Sequence, residues 1–381
     1  MSVTPVQGHV VVAPDKFKGT LTAAEAAARL AAGIHRVAPG VEVRQLPVAD
    51  GGEGTLDAAL AAGFTRIPAK VSGPTGLPVD AAFALRGDLA VIELAQAAGL
   101  ARLPGCRTAP LAAGTYGVGR LIGRAIGAGA RRIVLGLGGS ASTDGGAGLV
   151  QALGVGLYDE DGAELPPGGA ALRRLHRLEP GSLADTLSGV EITVACDVDN
   201  PLLGPRGATA VYAPQKGAEG VELALLEAGL THWADVVRET TGREVRDAPG
   251  AGAAGGVGFA ALALLGATMR PGIELLLDLL GFDEAVRGAR LVVTGEGCLD
   301  EQTLHGKAPA GVAAAATRAG VPVAAVAGRV DLPESAWRRA GFIAAYALGD
   351  LAEQPGDSLT RAAELAERAG ERLAGELLAR A

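Results

Sequence analysis

The sequence is poor in the residues that build disulfides, metal sites and nucleic-acid interfaces. It contains three cysteines among 381 residues, and Cys106, Cys196 and Cys298 lie far apart without metal-ligand spacing. This pattern argues against a disulfide framework and a zinc site, and it fits a reducing cytoplasm. The formal net charge of −8, without a basic cluster, gives nucleic-acid binding little support. The partners are therefore expected to be small molecules.

Signals for export and for membrane insertion are weak or missing. Residues 1–8 lack the basic start, apolar core and cleavage site of a signal peptide. Residues 248–269 carry no charge and are long enough to cross a bilayer, but their six glycines and early Pro-Gly make a poor membrane helix. We therefore expect a soluble cytoplasmic protein with neither a nucleic-acid nor a membrane partner. The sequence leaves undecided whether the protein forms a homodimer.

Lysine is also scarce, with five lysines against 29 arginines. Lys16 and Lys18 lie in Pro-Asp-Lys-Phe-Lys-Gly, Lys216 lies in Pro-Gln-Lys-Gly, and Lys307 lies in His-Gly-Lys. An ammonium group is a compact charge that can neutralise a transferring phosphoryl group or an acidic substrate, and arginine replaces it poorly. The lysines in these motifs are therefore candidates for a site. Solvated surface lysines are the alternative interpretation.

The residues that are abundant predict an α/β fold. Several β-branched apolar runs end in glycine or an acid and continue into an Ala- and Leu-rich helical pattern, which is typical of a parallel sheet with crossover helices. Residues 9–13, followed by the helical pattern of residues 22–37, are one example. Residues 64–94 instead predict antiparallel strands and a change of domain near Gly73. The predicted domains are a discontinuous parallel-sheet domain, residues 1–73 and 290–381, and an inserted mixed α/β domain, residues 74–289.

A glycine-rich loop at residues 136–146 is the strongest candidate for a binding site. It reads Gly-Leu-Gly-Gly-Ser-Ala-Ser-Thr-Asp-Gly-Gly between a predicted buried strand and a predicted helix. Glycines allow backbone N–H groups to converge on an anion, and hydroxyls can donate to a phosphate. A tight turn is the alternative, although a turn needs one or two glycines rather than five. The predicted phosphate contacts are Gly138, Gly139, Ser140, Ser142, Asp144 and Gly145.

The same loop also fits a dinucleotide-binding fingerprint. Gly136, Gly138 and Ala141 satisfy the Gly-x-Gly-x-x-Ala pattern. Asp159 or Asp161 follows about 20 residues later, where a ribose contact is expected. An NAD-dependent oxidoreductase is therefore the main alternative from another class, and a non-catalytic small-ligand sensor is a second. The fingerprint alone is weak, and it leaves the acidic loops of the chain unexplained.

Acidic residues follow three predicted strands. They lie in Asp-Gly-Gly-Glu-Gly-Thr at 50–55, in Cys-Asp-Val-Asp at 196–199 and in Thr-Gly-Glu-Gly-Cys-Leu-Asp at 294–300. The carboxyl ends of parallel strands form the crevice where open α/β sheets bind ligands, so these acids can converge. Convergent carboxylates suit Mg²⁺ and a general base, whereas solvated turn acids are the alternative. The acids are Asp50, Glu53, Asp197, Asp199, Glu296 and Asp300.

Seven ordered segments together resemble the bacterial class I glycerate kinases. They are residues 13–19 (Ala-Pro-Asp-Lys-Phe-Lys-Gly), 48–55, 136–148, 196–197, 214–218, 250–258 and 294–307. The resemblance spans almost the whole chain. It implies ATP-dependent, Mg²⁺-assisted phosphorylation of D-glycerate, usually at the 2-hydroxyl to give 2-phosphoglycerate. It also implies a two-domain α/β enzyme whose discontinuous domain is flavodoxin-like.

Two motifs depart from that family pattern. The loop commonly reads Ala-Thr-Asn-Asp, and here it reads Ala141-Ser142-Thr143-Asp144, while Cys298 stands where an arginine is usual. Loss of an arginine removes a bidentate donor, so a substrate or phosphate contact at that position must be absent or replaced. The phosphorylated hydroxyl also stays open, with 3-phosphoglycerate as the alternative product.

These motifs and this resemblance predict a site for phosphoryl transfer. We expect residues 138–146 to hold the ATP phosphates, and Mg²⁺ to bridge them with help from Asp197 and Glu296. The predicted catalytic residues are Asp197 as the general base, with Asp50 and Asp300 behind it, and Lys16 or Lys18 for charge neutralisation. The predicted D-glycerate contacts are Asp50, Gly51, Gly52, Glu53, Asp300 and Lys307.

Overall fold

The structure is a computed structural model that describes residues 8–354 and 356–378. The strands are β1 (His9–Pro14), β2 (Val43–Gln45), β3 (Thr65–Ser72), β4 (Pro78–Arg86), β5 (Leu89–Glu93), β6 (Arg132–Gly136), β7 (Gly156–Tyr158), β8 (Arg177–Glu179), β9 (Glu191–Ala195), β10 (Thr268–Arg270), β11 (Ala289–Leu299), β12 (Val323–Val330) and β13 (Phe342–Ala347).

The helices alternate with these strands along most of the chain. They are α1 (Ala23–Val37), α2 (Thr55–Ala61), α3 (Ala95–Ala98), α4 (Tyr116–Gly127), α5 (Ala147–Ala152), α6 (Leu183–Thr186), α7 (Ala208–Tyr212), α8 (Val221–Thr241), α9 (Ala253–Ala263), α10 (Gly272–Leu280), α11 (Phe282–Val286), α12 (Ala308–Arg318), α13 (Glu334–Arg339), α14 (Asp357–Thr360) and α15 (Ala362–Leu377). Short 3₁₀ helices lie at Leu100–Arg102, Pro104–Cys106, Gly169–Arg174, Pro214–Lys216, Glu301–His305 and Leu348–Leu351. The predicted α/β class is confirmed.

The chain divides into two compact units. The first comprises residues up to 50, residues 57–62 and residues from 273 onward, and the second comprises residues 51–56 and 63–272. β3 belongs to the second unit because it pairs with β4 along its whole length. The predicted domain boundaries at residues 73 and 290 stay a prediction.

The first unit is built on a five-stranded parallel sheet with the order β13-β12-β11-β1-β2. Numbered along this unit, the order is 2-1-3-4-5, which is that of flavodoxin-like sheets. β1 is buried at all six positions, as expected for a strand with both faces covered. The ligand crevice of such a sheet lies at the carboxyl ends where the strand order reverses, which here is between β1 and β11.

Helix α1 begins at a capping box and packs closely on α15. The Thr22 side chain accepts a hydrogen bond from the Glu25 N–H, and the Glu25 carboxylate accepts one from the Thr22 N–H. This reciprocal pair explains why the helical pattern starts at residue 22. Gly33 in α1 and Gly370 in α15 lie where a Cβ would clash with the backbone of the other helix. The two helices share one buried cluster with β1.

The second unit contains a mixed six-stranded sheet with the order β10-β9-β6-β5-β4-β3. β3, β4 and β5 pair antiparallel, whereas β5, β6, β9 and β10 pair parallel. The antiparallel pairing of β3, β4 and β5 confirms the antiparallel strands predicted for residues 64–94. β6 and β9 are neighbours, so the glycine-rich loop after β6 and the acidic loop after β9 leave the same edge of this sheet.

The structure corrects the predicted loop at residues 294–300. β11 continues to Leu299, so Glu296 lies within a strand and pairs with Ala327 of β12. The two strands approach closely because Gly295 lacks a Cβ, which would clash with the Val326 carbonyl oxygen. Gly295 of this motif therefore serves the pairing of β11 with β12.

Two helical segments are irregular in the structure, one after residue 356 and the other within residues 248–269. The sequence pattern of residues 358–380 predicts one long helix, but the structure divides it at Arg361 into α14 and α15, and residues 379–381 lie outside the described residues. Within the uncharged stretch 248–269, α9 covers Ala253–Ala263 and begins with a left-handed turn. Across the described residues, no helix is both long and apolar enough to cross a membrane.

Candidate functional site

Carboxylates gather at the switch point of the first unit. Asp15 follows β1, Asp50 follows β2, and Glu296 lies in β11 next to β1. Burial raises the pKa of Asp15 to about 7, and the negative charges of Asp50 and Glu296 act in the same direction, while Lys16 opposes them. The Asp15 Oδ1 accepts a hydrogen bond from the Lys16 backbone N–H at 2.6 Å. Asp15 was not among the predicted site residues, although it follows a predicted strand in the same way as Asp50.

Lys307 lies between two predicted site acids of the first unit. Its Nζ is 3.7 Å from Glu296 Oε2 and 3.7 Å from Asp300 Oδ1. These distances are longer than hydrogen bonds, so the ammonium can take a further anionic partner. Thr303 Oγ1 donates to Glu296 Oε1 at 2.5 Å, and Asp300 accepts from the Thr303 N–H. Burial raises the pKa of Glu296.

The predicted charge-neutralising lysines differ in exposure. Lys18 is exposed and Lys16 is half-buried beside Asp15. Cys298 in β11 lies opposite Arg329 in β12, whose Nη2 is 3.7 Å from the cysteine Sγ. An arginine therefore lies beside the position at which the family pattern has one. Arg329 is largely exposed and also pairs with Asp331.

In the second unit, the loop 51–54 lies against the start of the glycine-rich loop. A Cβ at Gly136 would clash with the Gly51 carbonyl oxygen, and a Cβ at Gly138 would clash with the Gly52 Cα. Glu93 at the end of β5 fixes this approach, because its Oε1 accepts from the Leu56 N–H at 2.6 Å and from the neighbouring Gly54 N–H. The structure thus brings a predicted substrate loop and the predicted phosphate loop together. Glu93 was missed because a lone buried acid carries no motif.

Asp197 belongs to the same edge of the second unit. It follows β9, is exposed, and its Oδ1 accepts a hydrogen bond from the Gly272 N–H at 2.7 Å. A Cβ at Gly51 would lie 2.7 Å from the Ala195 Cβ, which places the loop 51–54 beside the last residue of β9. Asp197 and the glycine loops therefore share one sheet edge. Glu296, the other predicted metal ligand, belongs to the first unit.

The glycine-rich loop presents backbone at its start and buries its side chains. Gly138 is half-exposed and Gly139 is exposed, with φ of 76°. Ser140 and Ser142 are buried, and their hydroxyl oxygens are 3.2 Å apart. Asp159, the candidate ribose contact of the oxidoreductase alternative, is buried and accepts from the Ala163 N–H and from Arg174. The surface that the loop offers to a ligand is therefore the Gly138-Gly139 backbone.

Asp144 is the anchor of the buried part of the loop. Its Oδ2 accepts from the backbone N–H and the Oγ1 of Thr115, both at 2.8 Å, and from the Gly148 N–H. Its Oδ1 accepts from the Gly146 N–H at 3.2 Å. Burial raises the pKa of Asp144, whereas these hydrogen bonds oppose that shift. Asp144 therefore orders the loop from inside.

Three further features hold the same loop. The buried Lys216 donates through Nζ to the Ser142 carbonyl oxygen. Residues 254–256 form a left-handed turn whose Gly255 carbonyl accepts the Gly145 N–H at 3.0 Å. Trp233 donates from Nε1 to the Gly145 carbonyl at 3.0 Å. Lysine scarcity pointed to Lys216 without showing that it is buried, and the glycines of 250–258 pointed to an irregular backbone.

Among the residues that the structure describes, three or more His, Cys, Asp or Glu side chains are nowhere grouped so as to hold a metal ion. This finding concerns sites made of protein ligands alone. Magnesium in phosphoryl-transfer enzymes is commonly held by one or two carboxylates together with phosphate oxygens. Asp197 and Glu296 are therefore each considered as a single protein ligand that would bind Mg²⁺ together with phosphate oxygens.

Comparison with known proteins identifies relatives over nearly the full length. A sequence model described as the glycerate kinase family matches residues 10–378. A glycerate kinase of Bacillus subtilis is 45% identical over 97% of this chain and 97% of its own length. A glycerate 2-kinase of Escherichia coli is 43% identical over 84% of each chain. A crystal structure from Salmonella typhimurium LT2, described as a glycerate kinase 2, superposes with a TM-score of 0.86 at 39% identity, covering 98% of this chain and 99% of the other.

Proposed function

Because the chain belongs to the glycerate kinase family, we propose that it transfers the terminal phosphoryl group of ATP to the 2-hydroxyl of D-glycerate, giving 2-phosphoglycerate and ADP. The observation that carries the choice of hydroxyl is the 43% identity to a relative named a glycerate 2-kinase. In the transfer, the hydroxyl oxygen forms a bond to the γ-phosphorus, the bond to the β,γ-bridging oxygen breaks, and ADP leaves. The hydroxyl proton passes to a base of the protein.

The Gly138-Gly139 backbone is the proposed contact for the ATP phosphates. Backbone N–H groups of adjacent glycines can converge on an anion without obstruction by side chains. A Cβ at Gly138 would clash with the Gly52 Cα, so position 138 has no room for a larger residue. This approach supports a shared role for the two loops in the second unit. Gly51, Gly52 and Glu53 keep their proposed role toward the substrate.

Asp197 is the residue that fits Mg²⁺ best on the sheet edge that carries the glycine loop. It is exposed, and its Oδ1 accepts a hydrogen bond from the Gly272 N–H. A single carboxylate and phosphate oxygens are a common ligand set for this ion. When bound, Mg²⁺ would neutralise charge on the phosphate oxygens. Glu296 of the first unit is the second proposed ligand, and Thr303 and Lys307 also contact its two oxygens.

Asp197 is also our proposed general base, and Asp15, Asp50 and Asp300 are alternatives. Asp15 joins this set because it is buried at the switch point of the first unit beside Asp50 and Glu296. Lys307 is proposed to bind the glycerate carboxylate. Its Nζ lies 3.7 Å from Glu296 and from Asp300, which is too far for a hydrogen bond to either acid. Lys16 and Lys18 keep the proposed role of neutralising the transferred phosphoryl group.

The proposed function is tested by release of ADP from ATP, Mg²⁺ and D-glycerate. We expect turnover that depends on D-glycerate and is absent without Mg²⁺. Turnover with NAD and a hydroxy acid but not with ATP would contradict the proposal. The base is tested with Asp197→Asn and Asp15→Asn, of which the correct one lowers kcat about a hundred- to ten-thousandfold.

The two proposed roles of Asp197 are separated by a magnesium titration. If Asp197 holds the ion, higher Mg²⁺ concentrations should restore activity to Asp197→Asn. If it is the base, saturating Mg²⁺ leaves kcat low. Normal kcat in Asp197→Asn at every Mg²⁺ concentration rejects both roles and leaves Asp15 as the first candidate.

A further inference from the structure

Lys216 lies inside the second unit, in contact with the loop that we propose for ATP. Its exposure is 2%, and its Nζ donates to the Ser142 carbonyl oxygen and to Ser140 Oγ, the latter at 3.4 Å. Lysines are almost never fully buried, because the ammonium group loses its hydration. A lysine in this position therefore needs a reason beyond packing.

The backbone around Lys216 is shaped to receive its ammonium group. Ala254, Gly255 and Gly256 form a left-handed turn with φ values of 53°, 71° and 91°. A Cβ at Gly255 would lie 2.9 Å from Lys216 Nζ and would clash with the Ser142 carbonyl oxygen. Ala254 carries a Cβ in this conformation, which is unfavourable and persists where the surrounding structure requires it.

The glycine-rich loop is thus held at two successive points. Lys216 holds the segment Ser140–Ser142, and the left-handed turn and Trp233 hold Gly145 through its N–H and its carbonyl. Ser140 directly follows Gly139, the exposed residue of the loop. The exposed backbone of Gly139 is therefore directly adjacent to Ser140, whose hydroxyl accepts a hydrogen bond from Lys216.

We propose that Lys216 is a positioning residue for nucleotide binding, whose ammonium fixes Ser140 and Ser142 and thereby orients the Gly138-Gly139 backbone toward the ATP phosphates. This inference rests on the proposed function. The charged group that interacts with Lys216 is Asp144 of the same loop. Burial lowers the pKa of Lys216 to about 7, and Asp144 partly offsets this shift. Support of the loop should weaken as pH rises through that range, because a neutral amine is a weaker donor than an ammonium.

The first test compares Lys216→Met with Lys70→Met, which removes an exposed lysine of β3 in the same unit. We expect Lys216→Met to raise the dissociation constant for ATP about ten- to hundredfold, as for the loss of one charged hydrogen bond. We expect the KM for D-glycerate to change little, and Lys70→Met to bind ATP normally. Lys216→Arg should recover part of the affinity, since it restores a charge. A dissociation constant for Lys216→Met within about threefold of wild type, a difference below 1 kcal/mol, overturns the proposal.

The second test uses Trp233 as a reporter of the loop. The chain has two tryptophans, so Trp337→Phe leaves Trp233 as the sole one, and its Nε1 contacts the Gly145 carbonyl. In this background the emission should change with a midpoint near pH 7. The change should disappear in Lys216→Arg, because arginine stays charged across this range. A midpoint that persists in Lys216→Arg assigns the change to a group other than Lys216 and overturns the proposal.

These outcomes are independent of the proposed reaction. ATP affinity is measured by calorimetry without D-glycerate, so ATP binding without turnover would refute the proposed function and leave the role of Lys216 testable. If Lys216→Met does not fold, the Trp233 titrations of the Trp337→Phe protein and of its Lys216→Arg derivative decide the question.

Discussion

Asp144 and Lys216 show how single buried charges can order a binding loop. Asp144 accepts hydrogen bonds from three residues, Thr115, Gly146 and Gly148, and Lys216 donates to two others. Each charge is removed from water, which is costly unless its partners are in place. We therefore expect that the glycine-rich loop tolerates few substitutions at Asp144 and Lys216.

Substitution of Asp144 by asparagine should destabilise the protein. An amide keeps one acceptor oxygen but directs its NH₂ group at backbone donors, so buried N–H groups lose their partner. We expect the free energy of unfolding in urea to fall by about 2–4 kcal/mol. Asp88→Asn, which removes an exposed ion pair with Arg132, is the matched control and should have little effect. Equal stability of Asp144→Asn and wild type would contradict the anchoring role.

Lys216 should make stability depend on pH in a predictable direction. Its pKa in the folded protein is lowered to about 7 from the ordinary value of 10.5, so between these values the unfolded chain binds a proton that the folded chain does not. Stability of wild type relative to Lys216→Met should therefore rise with pH, by up to about 1.4 kcal/mol per pH unit. Urea unfolding of both proteins at pH 7.5 and 9.0 measures this difference. Parallel pH curves would show that Lys216 is not buried with a lowered pKa.

The residues of the site were predictable to different degrees for physical reasons. Asp50, Asp197 and the glycines of the loop follow strands, and strand ends can be located from periodicity. Ser140 and Ser142 were predicted to face a phosphate, but a sequence does not show which way a loop side chain turns, and both are buried. Asp15 follows β1 and could have been predicted in the same way as Asp50, whereas the role of Glu93 depends on contacts with Gly54 and Leu56, which are distant in sequence.

Among the secondary-structure elements, the contact between α1 and α15 gives the sharpest packing prediction. A Cβ at Gly370 would clash with the Leu30 carbonyl oxygen of α1, whereas a Cβ at Gly375 in the same helix would meet no atom of another element within 4 Å. Gly370→Ala should therefore lower the free energy of unfolding by about 1–3 kcal/mol through overpacking. Gly375→Ala should raise it by about 0.5–1 kcal/mol, because alanine favours the helix.

Chemical denaturation of the two variants and of wild type measures whether the free energy of unfolding falls in Gly370→Ala and rises in Gly375→Ala. A common destabilisation would mean that the helix, rather than the contact, is sensitive to substitution. A common stabilisation would mean that the two helices do not approach as closely as described.

Most elements could be predicted because their hydrophobic periodicity is strong. β1, α1 and the antiparallel strands of residues 64–94 are examples. The extension of β11 through Gly295, Glu296 and Gly297 could not be predicted, since glycines ordinarily indicate a loop. Here Gly295 permits close pairing with Val326 of β12, and the position of that neighbouring strand cannot be deduced from the motif.

For the whole molecule, order and composition of the motifs carried more information than any one of them. The glycine-rich loop alone fitted both a phosphate site and a dinucleotide fingerprint. Seven segments in order indicated the glycerate kinase family, and the match over residues 10–378 confirmed it. The strand order of the first unit and the sheet of the second required the structure, because a sequence does not show which strands pair.

The most direct test of the central claim is a proton-coupled phosphorus NMR spectrum of the product formed from ATP, Mg²⁺ and D-glycerate. In 2-phosphoglycerate the phosphate is attached to a CH group, so its resonance splits into a doublet, whereas in 3-phosphoglycerate the CH₂ group produces a triplet. We predict the doublet, appearing in step with ADP. A triplet would be consistent with glycerate kinase activity but would contradict phosphorylation of the 2-hydroxyl. The absence of any phosphoglycerate signal would contradict D-glycerate as the substrate.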